Sequence, residues 1–345
     1  MVAQYDFVAM GNPLLDMQVS NGEELLKKYS LKANDAILAE GKQKEIADSY
    51  NDLEKNYKVT YVAGGAAQNA ARGAQYVLPA GSTAYIGAVG KDALADQLRA
   101  ANEKEGLYSA YQVVSSAPTG ACAVIITGHH RSLCTELGAA EKFEPSHLET
   151  QEVKDIISGA KFFYLGGFFL THGIESAMIL AKHSFENGKT FAMNLSAPFI
   201  PQFFKSQVDE ILPYVDVLIG NETEAEAFAT SREWNTKDLA EIAKRLAGSP
   251  KANTSKPRIV VLTQGAESTY VATSEESHKT HEVSKLSNDQ IVDTNGAGDA
   301  FAGGFCGALC VGKGIDEAVA AGHRMGAMCV GQVGPQFKFP KERIF

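Results

Sequence analysis

Short runs of apolar and β-branched residues recur along the chain, and stretches with helical spacing fall between them. The runs are Phe7–Met10, Ala84–Val89, Ala121–Thr127, Phe162–Leu165, Thr190–Asn194, Val215–Ile219, Ile259–Thr263 and Thr269–Thr273. The helical stretches are Gln68–Leu78, Ala93–Glu105, Ile174–Asn187, Thr223–Thr230, Lys237–Ala247, Ala297–Val311 and Ile315–Val330. Strands alternating with helices predict an α/β fold with a mostly parallel sheet, covered by helices on both faces. Folds of this kind bind ligands beyond the C-terminal ends of their strands.

Two regions break the alternation. Asp16–Tyr61 is polar and only weakly periodic, and Pro118–Ala140 reads as a pair of strands with two glycines and Arg131 at the turn. Both are expected to pack together as a small discontinuous lid, residues 16–65 and 118–140. Residues 1–15, 66–117 and 141–345 would then form a large α/β domain. Ser249–Pro257 and Ser274–Gln290 read as surface loops, and no repeat is evident.

With 345 residues, 45% of them hydrophobic, the chain can bury a large core without staples. A formal net charge of −9 argues against nucleic-acid or anionic-membrane binding. The 5 cysteines are scattered, with no Cys-x-x-Cys pair, which points to a reducing compartment and no structural zinc. Cys306 and Cys310 share a helix face and read as small core residues. The uncharged stretch Ala300–Gly312 is too short for the ~20 residues of a membrane helix. Met1–Asp6 carries no basic-then-apolar leader, so the expectation is a soluble, cytoplasmic protein.

The chemistry concentrates at Asp293–Phe305, Asp-Thr-Asn-Gly-Ala-Gly-Asp-Ala-Phe-Ala-Gly-Gly-Phe, after the apolar pair Ile291–Val292. It reads as a strand end, a glycine turn and the first turn of a helix. N–H groups at such a turn point outward and the helix dipole adds positive potential, which makes an anion site. An acid there, Asp299, suggests a base that meets a hydroxyl beside a phosphate, or else an acid that merely complements the dipole.

A second glycine cluster, Ala63–Gly73, holds the pair Gly64–Gly65 and then Asn69 in the first turn of a helix. The pair would let a ligand approach the backbone, with the Asn69 amide in reach of a sugar hydroxyl. A plain tight turn is the alternative. Asp16, after Gly11-Asn12-Pro13-Leu14-Leu15, can accept from two vicinal hydroxyls or can be an ordinary turn acid. Asn221-Glu222-Thr223-Glu224 matches a helix capping box. It also fits a magnesium site held mostly through water, and both readings can hold at once. Arg131 follows His129-His130 and would carry positive charge over a phosphoryl group if the lid closes. His323 reads as a stacking partner for a base or as a core histidine. Gly188-Lys189-Thr190 is no P-loop, because His183 stands where that motif needs its first glycine and the triplet precedes a strand.

On these residues the chain resembles the adenosine kinase branch of the ribokinase-like (PfkB) carbohydrate and nucleoside kinase family. Gly64–Gly73 and Asp293–Phe305 carry the general resemblance. Gly11–Asp16, Ile37–Glu40, Ala63–Asn69, Arg131–Leu133, Gly167–Thr171, Asn194–Ile200 and Asn221–Glu224 carry the narrower one, in order and over nearly the whole chain.

The resemblance implies ATP-dependent phosphorylation of the adenosine 5′-hydroxyl to AMP in purine salvage, by a monomer that uses Mg²⁺. It implies Asp299 as catalytic base and Asn295, Gly296, Ala297 and Gly298 as its anion hole. Asp16, Gly64, Gly65 and Asn69 would hold the ribose, and Leu38, Leu133, Phe168 and Phe169 would wall the adenine pocket. Arg131 would meet the phosphates. Asn194, Asn221, Thr263, Gly265 and His323 would lie on the ATP side, with Glu224 in the magnesium shell. Potassium activation is known in the wider family, with carbonyls near Asp293 as ligands.

Ala66 and Ala67 depart from the hydroxyl residues common after the glycine pair, and His129-His130 from the acids or amides common before the arginine. The helix N-terminus is expected to lower the pKa of Asp299 and keep it ionised. Another nucleoside or sugar kinase of the same fold, or a non-catalytic adenylate sensor, are the alternatives.

Overall fold

Phe7 and Ala9 turn to one face of a sheet, Val8 and Met10 to the other, and all four are fully buried. This first strand, β1 (Phe7–Met10), lies inside a sheet with a separate apolar layer against each face. That is why it reads as an unbroken apolar run rather than an alternating one. The computed structural model describes residues 4–20, 22–32, 36–39, 56–127, 130–275 and 279–345.

The strands are β1, β2 (Leu14–Ser20), β3 (Ala36–Leu38), β4 (Val59–Gly64), β5 (Thr83–Val89), β6 (Tyr108–Val113) and β7 (Ala121–Thr127). They continue with β8 (His130–Glu136), β9 (Phe162–Gly166), β10 (Thr190–Asn194), β11 (Val217–Asn221), β12 (Ile259–Gln264), β13 (Glu267–Thr273) and β14 (Lys279–His281). Among the described residues, the main sheet has nine strands in the order β14-β13-β12-β11-β10-β9-β1-β5-β6. From β12 through β6 every neighbouring pair is parallel, and β13 and β14 close one edge antiparallel.

Among the described residues, a second sheet has five strands in the order β3-β8-β7-β2-β4. Both regions that broke the alternation contribute to it. Its β2–β7 and β3–β8 pairs are parallel, and the β2–β4 and β7–β8 pairs antiparallel. The Glu23–Tyr29 helix covers one face through Leu25 and Tyr29, which pack with Val19, Ala123, Ile125 and Cys134.

Three expectations need correction. Ile291 and Val292 do not end a strand. A single helical turn at Asn288–Gln290 precedes them, and the N–H groups of Val292 and Asp293 both bond to the carbonyl of Val330. The last long helix therefore supplies the partner a neighbouring strand would have supplied. Arg131 is not at the hairpin turn but inside β8, opposite Ile126, since the pairing reaches out to Thr127 and His130. The strand expected at Val215–Ile219 runs Val217–Asn221, which carries Asn221 to the strand end and makes it the cap of the next helix.

All five cysteines are free. Among the described residues no helix is long and apolar enough to cross a membrane.

Candidate active site

Both glycine clusters open helices, and the two helices pack against each other on one face of the main sheet. Ala66–Val77 and Ala297–Cys310 meet through glycine: a Cβ on Gly303 would sit 2.3 Å from the carbonyl oxygen of Ala70, and one on Gly307 would sit 2.4 Å from Val77. The close approach, rather than chain flexibility, accounts for the small residues along Ala300–Gly307. It brings the first turns of both helices side by side.

Asp299 and Asn69 stand in those first turns, 230 positions apart in sequence, and the Asn69 Nδ2 donates to the Asp299 Oδ2 at 3.0 Å. Burial pushes the Asp299 carboxyl up to about 7, and the Asn69 bond works the other way without cancelling it. The expected lowering by the helix terminus is therefore corrected: desolvation of the charged form outweighs the dipole here.

The expected anion hole is also redrawn. The Asn295 N–H donates to Asp293 Oδ1 at 2.9 Å, and the Ala297 N–H donates to the Thr294 carbonyl at 3.3 Å, so neither is available. The N–H groups of Gly296, Gly298 and Asp299 have no partner among the described residues. Gly296 has φ +76° and lies on Pro335, where a Cβ would meet the Pro335 Cβ at 2.5 Å. Only glycine fits that turn.

These groups open into a cavity of about 490 Å³ between the two sheets. One face of the small sheet forms its far wall, with Leu14 and Asp16 from β2, Cys122 from β7, and Leu133 and Thr135 from β8. Ile37 of the edge strand β3 also borders the cavity, although its pairing with Cys134 puts it in the register of the opposite face. Asp16 is buried, and its Oδ1 would lie 2.2 Å from a Cβ on Gly64. Gly64 thus makes room for that carboxylate and does not line the cavity. Gly65, at φ +88°, does line it, and a Cβ there would strike the Asn12 carbonyl at 2.3 Å. Both glycines make room for internal contacts, and Gly65 also faces the cavity.

Phe168 and Phe169 line the cavity, Phe168 tilted on Phe199 with centroids 5.9 Å apart. Asn194 lines it too, its Oδ1 accepting from the Ser196 N–H at 2.8 Å. Asn221 and Glu224 form the capping box predicted from sequence: Asn221 Oδ1 accepts from the Glu224 N–H at 2.9 Å, and Glu224 Oε2 from the Asn221 N–H at 2.9 Å. Glu224 Oε1 also accepts from Asn221 Nδ2 at 3.0 Å. Burial raises the Glu224 carboxyl to about 7, and the nearby Asp299 adds to the rise.

Thr263 lines the cavity, but Gly265 sits in the exposed turn between β12 and β13, and His323 lies outside the wall. The His323 ring packs on Phe301 with centroids 5.5 Å apart and bonds the Thr269 hydroxyl at 2.9 Å. Burial lowers its pKa. The side chains of Leu38 and Arg131 lie outside the described residues.

Sequence reasoning passed over Asn12, although Gly11–Asp16 was singled out. Asn12 is buried in the cavity wall, its Oδ1 against His172 Nε2 at 3.0 Å and its Nδ2 without a partner among the described residues. Burial drops the His172 pKa to about 4, so the ring beside Asn12 is neutral. The asparagine between Gly11 and Pro13 was the available signal. Asp299's own N–H was also missed. Among the described residues no three His, Cys, Asp or Glu side chains converge to hold a metal.

The pattern of the pfkB family of carbohydrate kinases matches residues 24–342. The adenosine kinase of Schizophyllum commune is 54% identical over 346 residues, covering 99% of this chain and 100% of that protein. The crystal structure of Anopheles gambiae adenosine kinase with P1,P4-di(adenosine-5) tetraphosphate superposes with a TM-score of 0.90 at 43% identity, over 94% of this chain and 95% of that one. The adenosine kinase of Schistosoma mansoni in complex with 2-fluoroadenosine superposes with a TM-score of 0.92 at 32% identity, over 98% of both.

Proposed function

This chain belongs to the pfkB family of carbohydrate kinases, and from that premise we propose that it transfers the γ-phosphoryl group of ATP to the 5′-hydroxyl of adenosine. The products are AMP and ADP, a purine-salvage reaction. The observation that carries the reading is the half-buried Asp299 carboxyl, placed where uncommitted helix N–H groups meet a cavity of nucleoside size.

The phosphoryl group passes through a loose transition state, so placement and charge neutralisation dominate. The 5′-oxygen forms its bond to the γ-phosphorus as the bond to the β,γ-bridging oxygen breaks, and the 5′-hydroxyl proton passes to Asp299. A carboxyl held near 7 suits that task better than one at its ordinary value, because it takes a proton more readily. The N–H groups of Gly296, Gly298 and Asp299 would stabilise the transferring oxygens. Asp16 and Asn69 would hold the ribose, Asn12 would donate its free amide N–H to the nucleoside, and Leu133, Phe168 and Phe169 would enclose the base. The small sheet, with Arg131, would act as the lid that excludes water.

The donors fit a magnesium ion that keeps most of its waters. Both Glu224 oxygens already accept from Asn221, which leaves them a contact through water. Asn221 and Glu224 would hold those waters, and the ion would neutralise phosphate charge. Thr263, Gly265 and His323 would lie on the ATP side.

Adenosine, inosine, ribose and fructose, each with ATP in one ADP-release assay, test the reading. Adenosine should exceed the two sugars in kcat/KM by at least about 100-fold, since a bare sugar leaves the apolar wall unfilled. A preference for ribose or fructose would overturn it.

A further inference from the structure

Asn69 does not stand alone over Asp299. One turn further along the same helix, Arg72 is almost wholly buried, with 3% of its side chain exposed. Its Nε and Nη2 hold the two oxygens of Glu105 at 2.9 and 2.6 Å, at the C-terminal end of the Ala93–Glu105 helix. Its Nη1 donates to the Ala63 carbonyl at 3.0 Å and to the Asn69 Oδ1 at 3.4 Å. The Phe337 ring lies 5.9 Å from the guanidinium carbon and closes the other side.

An arginine has donors only, so the Asn69 atom that faces it must be the oxygen. The amide is planar, so Nδ2 then faces Asp299, and an ionised carboxylate can only accept. The guanidinium therefore selects the amide orientation in which Asn69 donates to the charged form of Asp299. With Oδ1 and Nδ2 exchanged, the same side chain would favour the protonated form.

We propose that Arg72, anchored by Glu105, is a positioning residue for the phosphoryl transfer and acts by fixing which edge of the Asn69 amide meets Asp299. The proposal rests on Asp299 being the base. The titratable groups that face Asp299 from the surrounding elements are Tyr85 on β5, Tyr164 on β9, Glu224 after β11 and Cys329 on the Ile315–Val330 helix. None of these is a cation, so among the described residues the Asn69 donor is the main counterweight to burial.

The test is the pH dependence of kcat at saturating adenosine and ATP. Removing the oriented donor raises the pKa of Asp299, so the acid limb moves to higher pH, by about one unit. Below the limb kcat falls about tenfold, and above it kcat is nearly unchanged. Arg72→Met leaves Glu105 unpaired, so Arg72→Met/Glu105→Met is measured beside it. If neither folds by circular dichroism, Arg72→Lys, which keeps the charge and loses the fork, should show a smaller shift of the same sign. In an Asn69→Ala background, already shifted, the Arg72 substitution should add nothing.

An unmoved limb in the folded variants, or a shift that adds fully to that of Asn69→Ala, overturns the proposal. Full turnover by Asp299→Asn would instead overturn the base assignment itself.

Discussion

The two walls of the cavity are built on different physical terms. The wall beneath Asp299 is a helix pair locked by glycine contacts, where the Gly303 Cα and the Ala70 backbone leave no room for a methyl group. There the Asn69 amide bonds Asp299 Oδ2, and the N–H groups of Gly296, Gly298 and Asp299 have no partner among the described residues. The opposite wall is one face of the small sheet, where Asp16 and Thr135 stand among Leu14, Cys122 and Leu133. The first wall holds the Asp299 carboxylate through the Asn69 amide at 3.0 Å. The second offers a broad, mostly apolar surface with one buried carboxylate. Under the proposed function, the helix pair would carry the chemistry and the sheet the recognition.

Substitutions should separate those two roles. Asp299→Asn breaks the chemical half most severely: kcat falls by about 10²–10⁴ in an ADP-release assay, the usual share of a general base. Gly303→Ala strikes the same half through packing. Its methyl would lie 2.3 Å from the Ala70 carbonyl, so stability drops by about 1–3 kcal/mol in a urea titration and kcat falls with it.

Asp16→Asn acts on the other half. It raises KM for adenosine by about 10- to 100-fold, because a charged acceptor is lost, and leaves kcat within a few-fold. The smallest effect is that of pH. Burial raises Asp299, so the protonated, inactive form gains as pH falls through the region near 7. The wild-type kcat should decline on that side, and Asp16→Asn should leave the position of the decline unmoved. If Asp16→Asn lowers kcat and spares KM, the division between the walls is wrong.

The main sheet was legible because β1, β5, β9, β10 and β12 are buried on both faces and so read as apolar runs. The small sheet was only half legible. Pro118–Ala140 announced a strand pair, but β2 carries Asp16 and Gln18 on its inner face, which hides a buried strand inside a polar pattern. Three-residue β3 and β14 are too short for any period to show.

The capping box at Asn221 and Glu224 is a local device, and the sequence spelled it out. The Asn69–Asp299 bond is not local, and neither is its consequence. Reasoning from the helix terminus alone predicted a lowered Asp299, because the dipole is a local quantity. Desolvation depends on what the fold piles over the carboxyl, and that reversed the sign. Gly64 and Gly65 likewise signalled close approach correctly, but the partners are Asp16 and the Asn12 carbonyl.

The most direct measurement is adenosine binding to the Asp299→Asn protein by titration calorimetry. The account places Asp299 in the chemical half, so the dissociation constant should stay within about threefold of the wild-type value while turnover is lost. A loss of affinity as large as the loss of turnover would contradict it, and would move Asp299 from the reacting centre to the nucleoside's grip.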